Sequence, residues 1–433
     1  MRGPLDISVV GAGVAGLAIA AALANAGHRV VVFERFATSL PLGSGLMLQP
    51  TGLAALERLG LRARIEALGH RIDRLYGITD TKRTIFDLAY AGLDPRLYAM
   101  AVHRALLHGV LWDNFKTCGA ALETGQIVTG IEPQAGNKVR LTTKVRLTTT
   151  TGTLPSTFDL VIDASGANSH FRRIVGANDA REFTYGAVWA SIPDLGISNG
   201  CLSQRYISAR RMIGYLPVGC ITDGGPSLAA LFWSLKPADY SAWRANFEPW
   251  REEASALWPD LASSIATFTG PDDLALASYV HYTAPKPFKG PLALIGDAAH
   301  ATSPQLGQGA NNGLLDAITL SDAIATSPDL TTALNLYAKT RRGHVRFYQM
   351  ASALMTPFFQ SDSGGLAILR DMSFDRMKFV PYLRREMLRT LAGLKTGLFT
   401  HAMPERLAGC VDIGARAIKT QDTDEPAISE KKA

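Results

Sequence analysis

The sequence predicts an α/β protein with a parallel-strand unit at its N-terminus, a β-rich middle and a helical C-terminal region. Three observations carry that prediction. The first forty residues read as apolar strand, glycine turn, Ala-rich helix and second apolar strand. Between about residues 180 and 285, short alternating or apolar runs are separated by turn signals. From about Leu330 the pattern turns helical. The 433 residues are 47% hydrophobic and 19% charged, which excludes a disordered chain. Two or three domains suit this length, and so large a chain builds its core without disulfide staples.

Composition narrows the function classes. The 44 Lys and Arg against 38 Asp and Glu leave a net charge of +6, which suits an anionic substrate or cofactor. The basic residues are scattered and form no stripe, so nucleic acid is not an expected partner. Cys118, Cys201, Cys220 and Cys410 sit in no CxxC or Cys/His spacing, so neither a disulfide framework nor a metal site is read. No run of 18 apolar residues occurs, and Gly3, Pro4 and Asp6 interrupt the start where a signal peptide would need an apolar core. A reducing cytoplasm is the expected compartment, and a small molecule the expected partner.

Asp6 to Val10 is a short β-branched run, read as a buried parallel strand. It stops at Gly11-Ala12-Gly13-Val14-Ala15-Gly16, and Leu17 to Ala26 follows as a helix closed by Gly27. Arg29 to Phe33 is the second strand, ending at Glu34 and Arg35. In this pattern Gly11 makes the turn, Gly13 lets backbone approach a pyrophosphate, and Gly16 lets helix and strand pack closely. The helix start at Ala15 supplies free N–H donors, and Glu34 would take adenosine ribose hydroxyls. An acid there disfavours a 2′-phosphate, so the expected ligand is FAD or NAD.

Three later segments bear on which. Leu160 to Ile162 is a strand running into Asp163-Ala164-Ser165-Gly166-Ala167-Asn168-Ser169, with Asn168 and Ser169 able to cap the turn at Phe171. Leu292 to Ile295 runs into Gly296-Asp297-Ala298-Ala299-His300. Ser303-Pro304-Gln305-Leu306-Gly307-Gln308-Gly309-Ala310-Asn311-Asn312-Gly313 then leads into an apolar helix over Leu314–Ala325. His300 reads as a packed or capping histidine and Asp316 as structural.

With GAGVAG and Glu34-Arg35, the arginine of Val102-His103-Arg104-Ala105-Leu106, the DASG stretch and GDAAH followed by GQGANN, the chain resembles the group A flavoprotein monooxygenases, the para-hydroxybenzoate hydroxylase family. The resemblance runs from about residue 6 to about residue 350. It implies a Rossmann-type FAD-binding domain (GR2-like) over 1–180 and 285–330 and a β-sheet substrate domain over 181–284; the chain's own pattern adds C-terminal helices over 331–415 and a disordered tail over 416–433. It also implies FAD as cofactor and NAD(P)H as transient reductant. By the same resemblance Asp297 binds the ribityl chain or ribose, Arg104 reaches the phosphates, and Arg35 lies at the adenine end. Gly43-Ser44-Gly45 borders the isoalloxazine, and Pro304 with Gly307, Gly309, Ala310 and Asn311 lines the ring edge. Asp163 and Gly166 complete the expected cofactor set. The implied reaction inserts one oxygen atom of O₂ into an electron-rich, aromatic small molecule through a C4a-hydroperoxyflavin. No catalytic side chain is assigned.

The chain also departs from that family. DASG stands where the family has an aspartate–glycine pair, so the resemblance implies FAD binding more directly than the way NAD(P)H docks. DASG is similar to the flavin halogenases and geranylgeranyl reductases, so an FAD-dependent reductase or dehydrogenase of an isoprenoid-like or alkene substrate is the alternative. The single Trp189 ahead of Ile192-Pro193 does not match the halogenase pattern. In the middle region Arg205, Tyr206, Arg210, Arg211 and Tyr215 are candidates for a basic-aromatic substrate wall, with Arg205 and Tyr215 taken as substrate residues. Lys138–Thr143 repeats as Lys144–Thr149, a tandem duplication in a hairpin. Leu383 to Leu398 reads as an amphipathic helix packed on the cofactor domain, with a membrane-surface or dimer contact as alternatives. Monomer and homodimer both remain open.

Overall fold

The computed structural model describes residues 3–37, 44–134, 144–149, 152–176 and 180–409. The first copy of the hexapeptide repeat, most of Gly43's loop, Cys410 and the expected tail lie outside them. The architecture is mixed α/β. Strand β1 (Asp6–Val10), helix α1 (Val14–Asn25) and strand β2 (Arg29–Glu34) form as the sequence predicts. β1 lies between β2 and the strand Leu160–Asp163, parallel to both. Leu292–Leu294 extends the sheet in parallel, Phe288–Lys289 closes that edge antiparallel, and Ala121–Thr124 closes the other. Ile7, Val9, Val32, Leu160 and Ile162 are all buried, because α1 and the helices Arg104–Thr117 and Gly309–Thr326 cover one face of the sheet. A three-stranded antiparallel sheet, Val128–Gln134, Lys144–Thr149 and Gly152–Phe158, covers the other. The second copy of the hexapeptide repeat is its middle strand.

A second, seven-stranded sheet runs in the order Ala275–Ala277, Gly186–Pro193, Leu228–Leu235, Arg211–Gly219, Cys201–Ile207, Arg74–Thr79, Thr84–Ala89. Its last two strands come from within the segment expected to belong to the cofactor domain. The pairing of Cys201–Ile207 with Arg74–Thr79 is parallel and so joins regions far apart in sequence, a pairing that local patterning does not signal. The middle region also contains the helices Tyr240–Ala245, Phe247–Leu257 and Ala262–Ala266, which the sequence reading did not foresee. Their Trp243, Phe247, Trp250 and Leu257 pack on one face of this sheet. A small sheet of Gly45–Leu48, Ala99–His103 and His70–Ile72 ties the two halves together.

Leu330–Phe359 is one long helix, followed by Gly364–Ser373 and Pro381–Leu391. The last stops short of the expected Leu398 because Gly393 takes φ +82°, and the chain then turns to form a bridge between Lys395 and His401. Among the described residues no helix is long and apolar enough to cross a membrane.

Candidate active site

The glycine turn after β1 has two kinds of glycine. Gly11 sits at φ +101° with its N–H donated to the Phe33 carbonyl at 2.8 Å, and a Cβ there would come within 2.7 Å of the Ala164 carbonyl oxygen. A Cβ at Gly16 would overlap the Gly11 carbonyl oxygen. These two hold strand, turn and helix together. Gly13, by contrast, has nothing within 4 Å of its Cβ position and begins α1 with no side-chain cap. The first-turn N–H groups of α1 therefore face an open cradle with the helix dipole behind them.

Glu34 is buried at the end of β2. Its carboxylate accepts the Ala12 N–H at 2.8 Å and the Phe36 N–H at 3.0 Å, so it braces the glycine turn from outside. His108, on the helix Arg104–Thr117, hydrogen-bonds the Ala12 backbone from the other side; burial holds its pKa below the usual histidine value. Arg35 is exposed, with its guanidinium 4.6 Å over the Phe36 ring. Sequence reasoning missed His108, whose only signal was its helical spacing from Arg104.

Asp163 turns inward. Its carboxylate accepts the Ser165 N–H at 3.0 Å and the Ser165 hydroxyl at 2.6 Å, and it also takes the Ser169 hydroxyl. Burial pushes its pKa up against those hydrogen bonds. Asp163 thus shapes the turn that presents Gly166, at φ +86° and with open space at its Cβ position. Ser169 accepts the Phe171 N–H at 3.1 Å, the capping bond read from the sequence.

The GDAAH and GQGANN segments meet the first turn at small residues. Cβ atoms built on Gly296 and Gly313 would lie 3.1 and 3.2 Å from the Ala15 Cβ. Gly296 takes φ +58° and donates its N–H to Asp316 at 2.8 Å. Asp316 is fully buried and also accepts from His300 Nε2 at 2.6 Å and from Arg341 Nε at 2.7 Å. Burial alone would raise its pKa; the His300 and Arg341 charges and hydrogen bonds outweigh that and hold it at about 2. His300 is therefore a packed partner of this network, as its sequence context suggested.

The network also carries a pH dependence. Arg341 approaches His344 Nδ1 at 3.3 Å, while His344 Nε2 donates to the Gly393 carbonyl at 2.8 Å. Burial, then the neighbouring Arg341 charge, lowers the His344 pKa from 6.5 to about 3. A depressed histidine pKa means the unfolded chain binds the proton more readily. Its contribution to stability is complete above pH 6.5 and declines as pH falls toward 3. Urea unfolding is expected to show a loss of about 1.4 kcal/mol per pH unit below that point. His344→Gln is expected to flatten the slope, and an unchanged slope would show that other groups set it.

Two groups here have no protein partner among the described residues. Asp297 is exposed at the head of the turn after Leu292–Leu294, with no hydrogen bond to its carboxylate; desolvation by the surrounding walls raises its pKa, opposed by His300 and Arg104. Arg104 is exposed at the start of its helix, with no ion pair, and is near enough to Asp297 to act on it electrostatically. Opposite them lies the uncapped N-terminus of the helix Gly309–Thr326, with a Gly309 Cβ position 3.8 Å from Asp297 Oδ1. Asn311 accepts the Gln49 N–H at 2.9 Å and donates to the carbonyls of Met47 and Gly307 at 3.1 and 2.7 Å. It clamps the strand Gly45–Leu48 to the Pro304–Leu306 turn, leaving only its backbone for a ligand. Gln49 Oε1 accepts the Tyr90 hydroxyl at 2.6 Å, and its buried Nε2 is unpartnered beside Gly307.

This set fits a flavin dinucleotide: two uncapped helix N-termini, open glycine cradles, an unpaired cation, an unpaired carboxylate and an orphaned buried amide. The substrate residues expected from sequence sit elsewhere. Arg205 donates to the Leu257 carbonyl at 3.1 Å, pairs with Asp260 and covers Trp258, on the sheet face under the helices. Tyr215 bonds Asp194 at 2.5 Å and the Leu195 N–H at 2.7 Å on that same face. The opposite face, which meets the strand Gly45–Leu48, carries Tyr206 together with Trp189 and Phe232, whose rings stack at 4.5 Å. Strand alternation put Arg205 and Tyr206 on opposite faces; only the sheet's docking decides which face is which.

The family model described as an FAD binding domain matches residues 5–345. The 3-amino-4-hydroxybenzoate 2-monooxygenase of Streptomyces cremeus is 30% identical over 338 residues, 75% of this chain and 79% of that protein. The FAD-dependent urate hydroxylase of Klebsiella oxytoca is 26% identical over 78% of this chain and 86% of its own length. Klebsiella pneumoniae HpxO complexed with FAD and uric acid superposes with a TM-score of 0.75 at 21% identity, covering 92% of this chain and 99% of that one. Since the family match spans the glycine turn, Arg104, the DASG turn and the Asp297 segment, the chain belongs to the FAD-binding-domain family of group A aromatic hydroxylases.

Proposed function

We propose that this FAD-dependent monooxygenase uses NAD(P)H and O₂ to insert one oxygen atom into an electron-rich planar small molecule, the second atom leaving as water. The observation that carries the reading is the pairing of an unpartnered Arg104 and an unpartnered Asp297 with two uncapped helix N-termini around one site. When bound, FAD supplies the electron transfer from NAD(P)H and the activation of O₂.

In this reading the N-terminal domain is of Rossmann type (GR2-like). Gly11 and Gly16 shape its turn, while Gly13 and Ala15 present N–H groups to the pyrophosphate. Glu34 and Arg35 lie at the adenosine end, Glu34 meeting the ribose with the lone pairs its two amide bonds leave free. Arg104 takes phosphate charge, and Asp297 takes ribityl or ribose hydroxyls. Asp163 and Gly166 form the adjoining turn. Gly45, Pro304, Gly307, Gly309, Ala310 and Asn311 border the ring, where the helix dipole favours negative charge. A reducing cytoplasm is the proposed compartment, supported by free thiols at Cys118, Cys201 and Cys220.

The test is the visible spectrum of the purified protein, with O₂ uptake followed after NADH or NADPH and a panel of phenols and quinolones. A flavin spectrum with oxygen uptake stimulated by one aromatic class is the expected result. Turnover of an alkene without oxygen consumption would overturn it in favour of the reductase, a reading supported by Ser165-Gly166 alone.

A further inference from the structure

We infer that the substrate is an uncharged planar aromatic, recognised through ring faces and side-chain amides rather than by a cation; this rests on the monooxygenase reading above. Residues paired across neighbouring strands share a face, and the face alternates along each strand. The cofactor side of the seven-stranded sheet is identified by three contacts. A Cβ on Gly45 would lie 2.7 Å from Ala230 and Val218, Ser191 lies 3.0 Å from His103 Nε2, and Trp189 Nε1 donates to the Tyr279 hydroxyl at 3.1 Å.

Following the register from Trp189 to Phe232, Gly214, Gln204 and Gly77, and then along every strand, that face holds no Asp, Glu, Lys, Arg or His. The charges of these strands, Arg74, Asp87, Arg205 and Arg211 among them, all fall on the opposite face. The loop Ser303–Gln308 and the helix end Ser352–Gln360 facing the sheet are uncharged as well.

Of the groups nearest this face that can carry positive charge, Arg370 and Lys236 are spent on internal partners, and His103 is held by its two ring nitrogens, Nδ1 accepting the Ala105 N–H and Nε2 meeting Ser191. Arg370 gives its guanidinium to the carbonyls of Phe358 and Ser208 and to Asp371. Lys236 pairs with Asp362 at 2.7 Å. Arg181 lines a cavity of about 320 Å³ together with the carboxylates of Glu182 and Asp362, bordered by Thr356 and Gln360. Arg104, which has no ion pair among the described residues, is the residue assigned above to the FAD phosphates, and its charge is taken up there in the holoenzyme. A carboxylate entering against the sheet would therefore lose its hydration without gaining a counter-charge.

What the face offers is flat and apolar. Phe232 lies across Gly214, where any Cβ would overlap its ring, and stacks on Trp189; Phe86 lies across Gly77 in the same way. Polar recognition is left to amides. Gln204 has only a weak contact to the Met212 sulfur at 3.5 Å, and Gln305 donates to Gln360 at 2.9 Å, leaving its own carbonyl oxygen available.

The experiment is equilibrium dialysis of the holoenzyme with matched pairs, such as 2-naphthol with 6-hydroxy-2-naphthoate and 4-hydroxyquinoline with its carboxylate. The neutral member is expected to bind at least about tenfold more tightly, about 1.4 kcal/mol. Gln204→Arg is expected to narrow or reverse that preference with flavin content unchanged, while Gln204→Met keeps it. Equal or tighter binding of the carboxylates, or no binding of any neutral ring, would overturn the inference. Oxygen uptake measured alongside reads the chemistry separately, so a failed monooxygenase reading shows as binding without O₂ consumption.

Discussion

Asp316→Ala is expected to destabilise the protein by about 3–5 kcal/mol, because it leaves the buried Arg341 guanidinium without its counter-charge. Asp316 is fully buried and Arg341 is 3% exposed, so water cannot compensate. The same carboxylate accepts the Gly296 N–H and the His300 ring N–H, and therefore holds the turn that carries Asp297. Stability and cofactor retention should fall together. Urea unfolding followed by tryptophan fluorescence reads the first, and the flavin-to-protein absorbance ratio reads the second. Asp316→Asn keeps the shape but not the charge, and is expected to fall between alanine and wild type. Wild-type stability in the alanine variant would show that the ion pair adds nothing over its desolvation cost.

The second large effect separates two glycines three residues apart. Gly13→Val is expected to fold with an unchanged far-ultraviolet circular dichroism spectrum and to purify colourless. Its Cβ position is open on the protein side, and the new methyls would occupy the space in front of the α1 N–H groups. Asp297→Ala should give the same phenotype from the other end of the site. Gly16→Val should instead fail to fold stably, at a cost of about 3 kcal/mol or more, since the side chain overlaps the Gly11 carbonyl and must open the strand–helix turn. Full flavin content in both Gly13→Val and Asp297→Ala would remove the cofactor from this location.

The first β–α–β unit was legible because each of its signals is local. β-branched runs make β1 and β2, an Ala-rich stretch makes α1, and glycine stands wherever a Cβ would strike backbone. The long C-terminal helix was legible for the same reason, through its period. Less visible were the strands Arg74–Thr79 and Thr84–Ala89, whose place in the second sheet depends on a parallel pairing with Cys201–Ile207. The helices between Tyr240 and Ala266 were hidden by their shortness and by aromatic residues that also favour strands.

The candidate site divides along the same line. Residues whose role lies in backbone shape, Gly11, Gly16, Gly166 and Gly296, take the turns and close approaches that their motifs call for. Side chains with polar ends were harder to place, because a carboxylate can face a ligand or its own backbone with equal sequence signature. Asp163 and Asn311 turned to the protein, whereas Asp297 and Arg104 were left unpartnered. Arg205 and Tyr215 looked like a substrate wall by residue type alone.

The sequence by itself determined the cofactor unit, its family and its order of motifs, since those depend on spacings along the chain and on where glycine is obligatory. Only the tertiary structure decided which face of the second sheet meets the strand Gly45–Leu48, which charges are spent on internal partners, and hence which face of that sheet is uncharged and aromatic. Alternation assigns residues to two faces but gives neither a name. That choice is made by packing: one face is covered by the helices with Trp243 and Trp250, and the other meets the strand Gly45–Leu48.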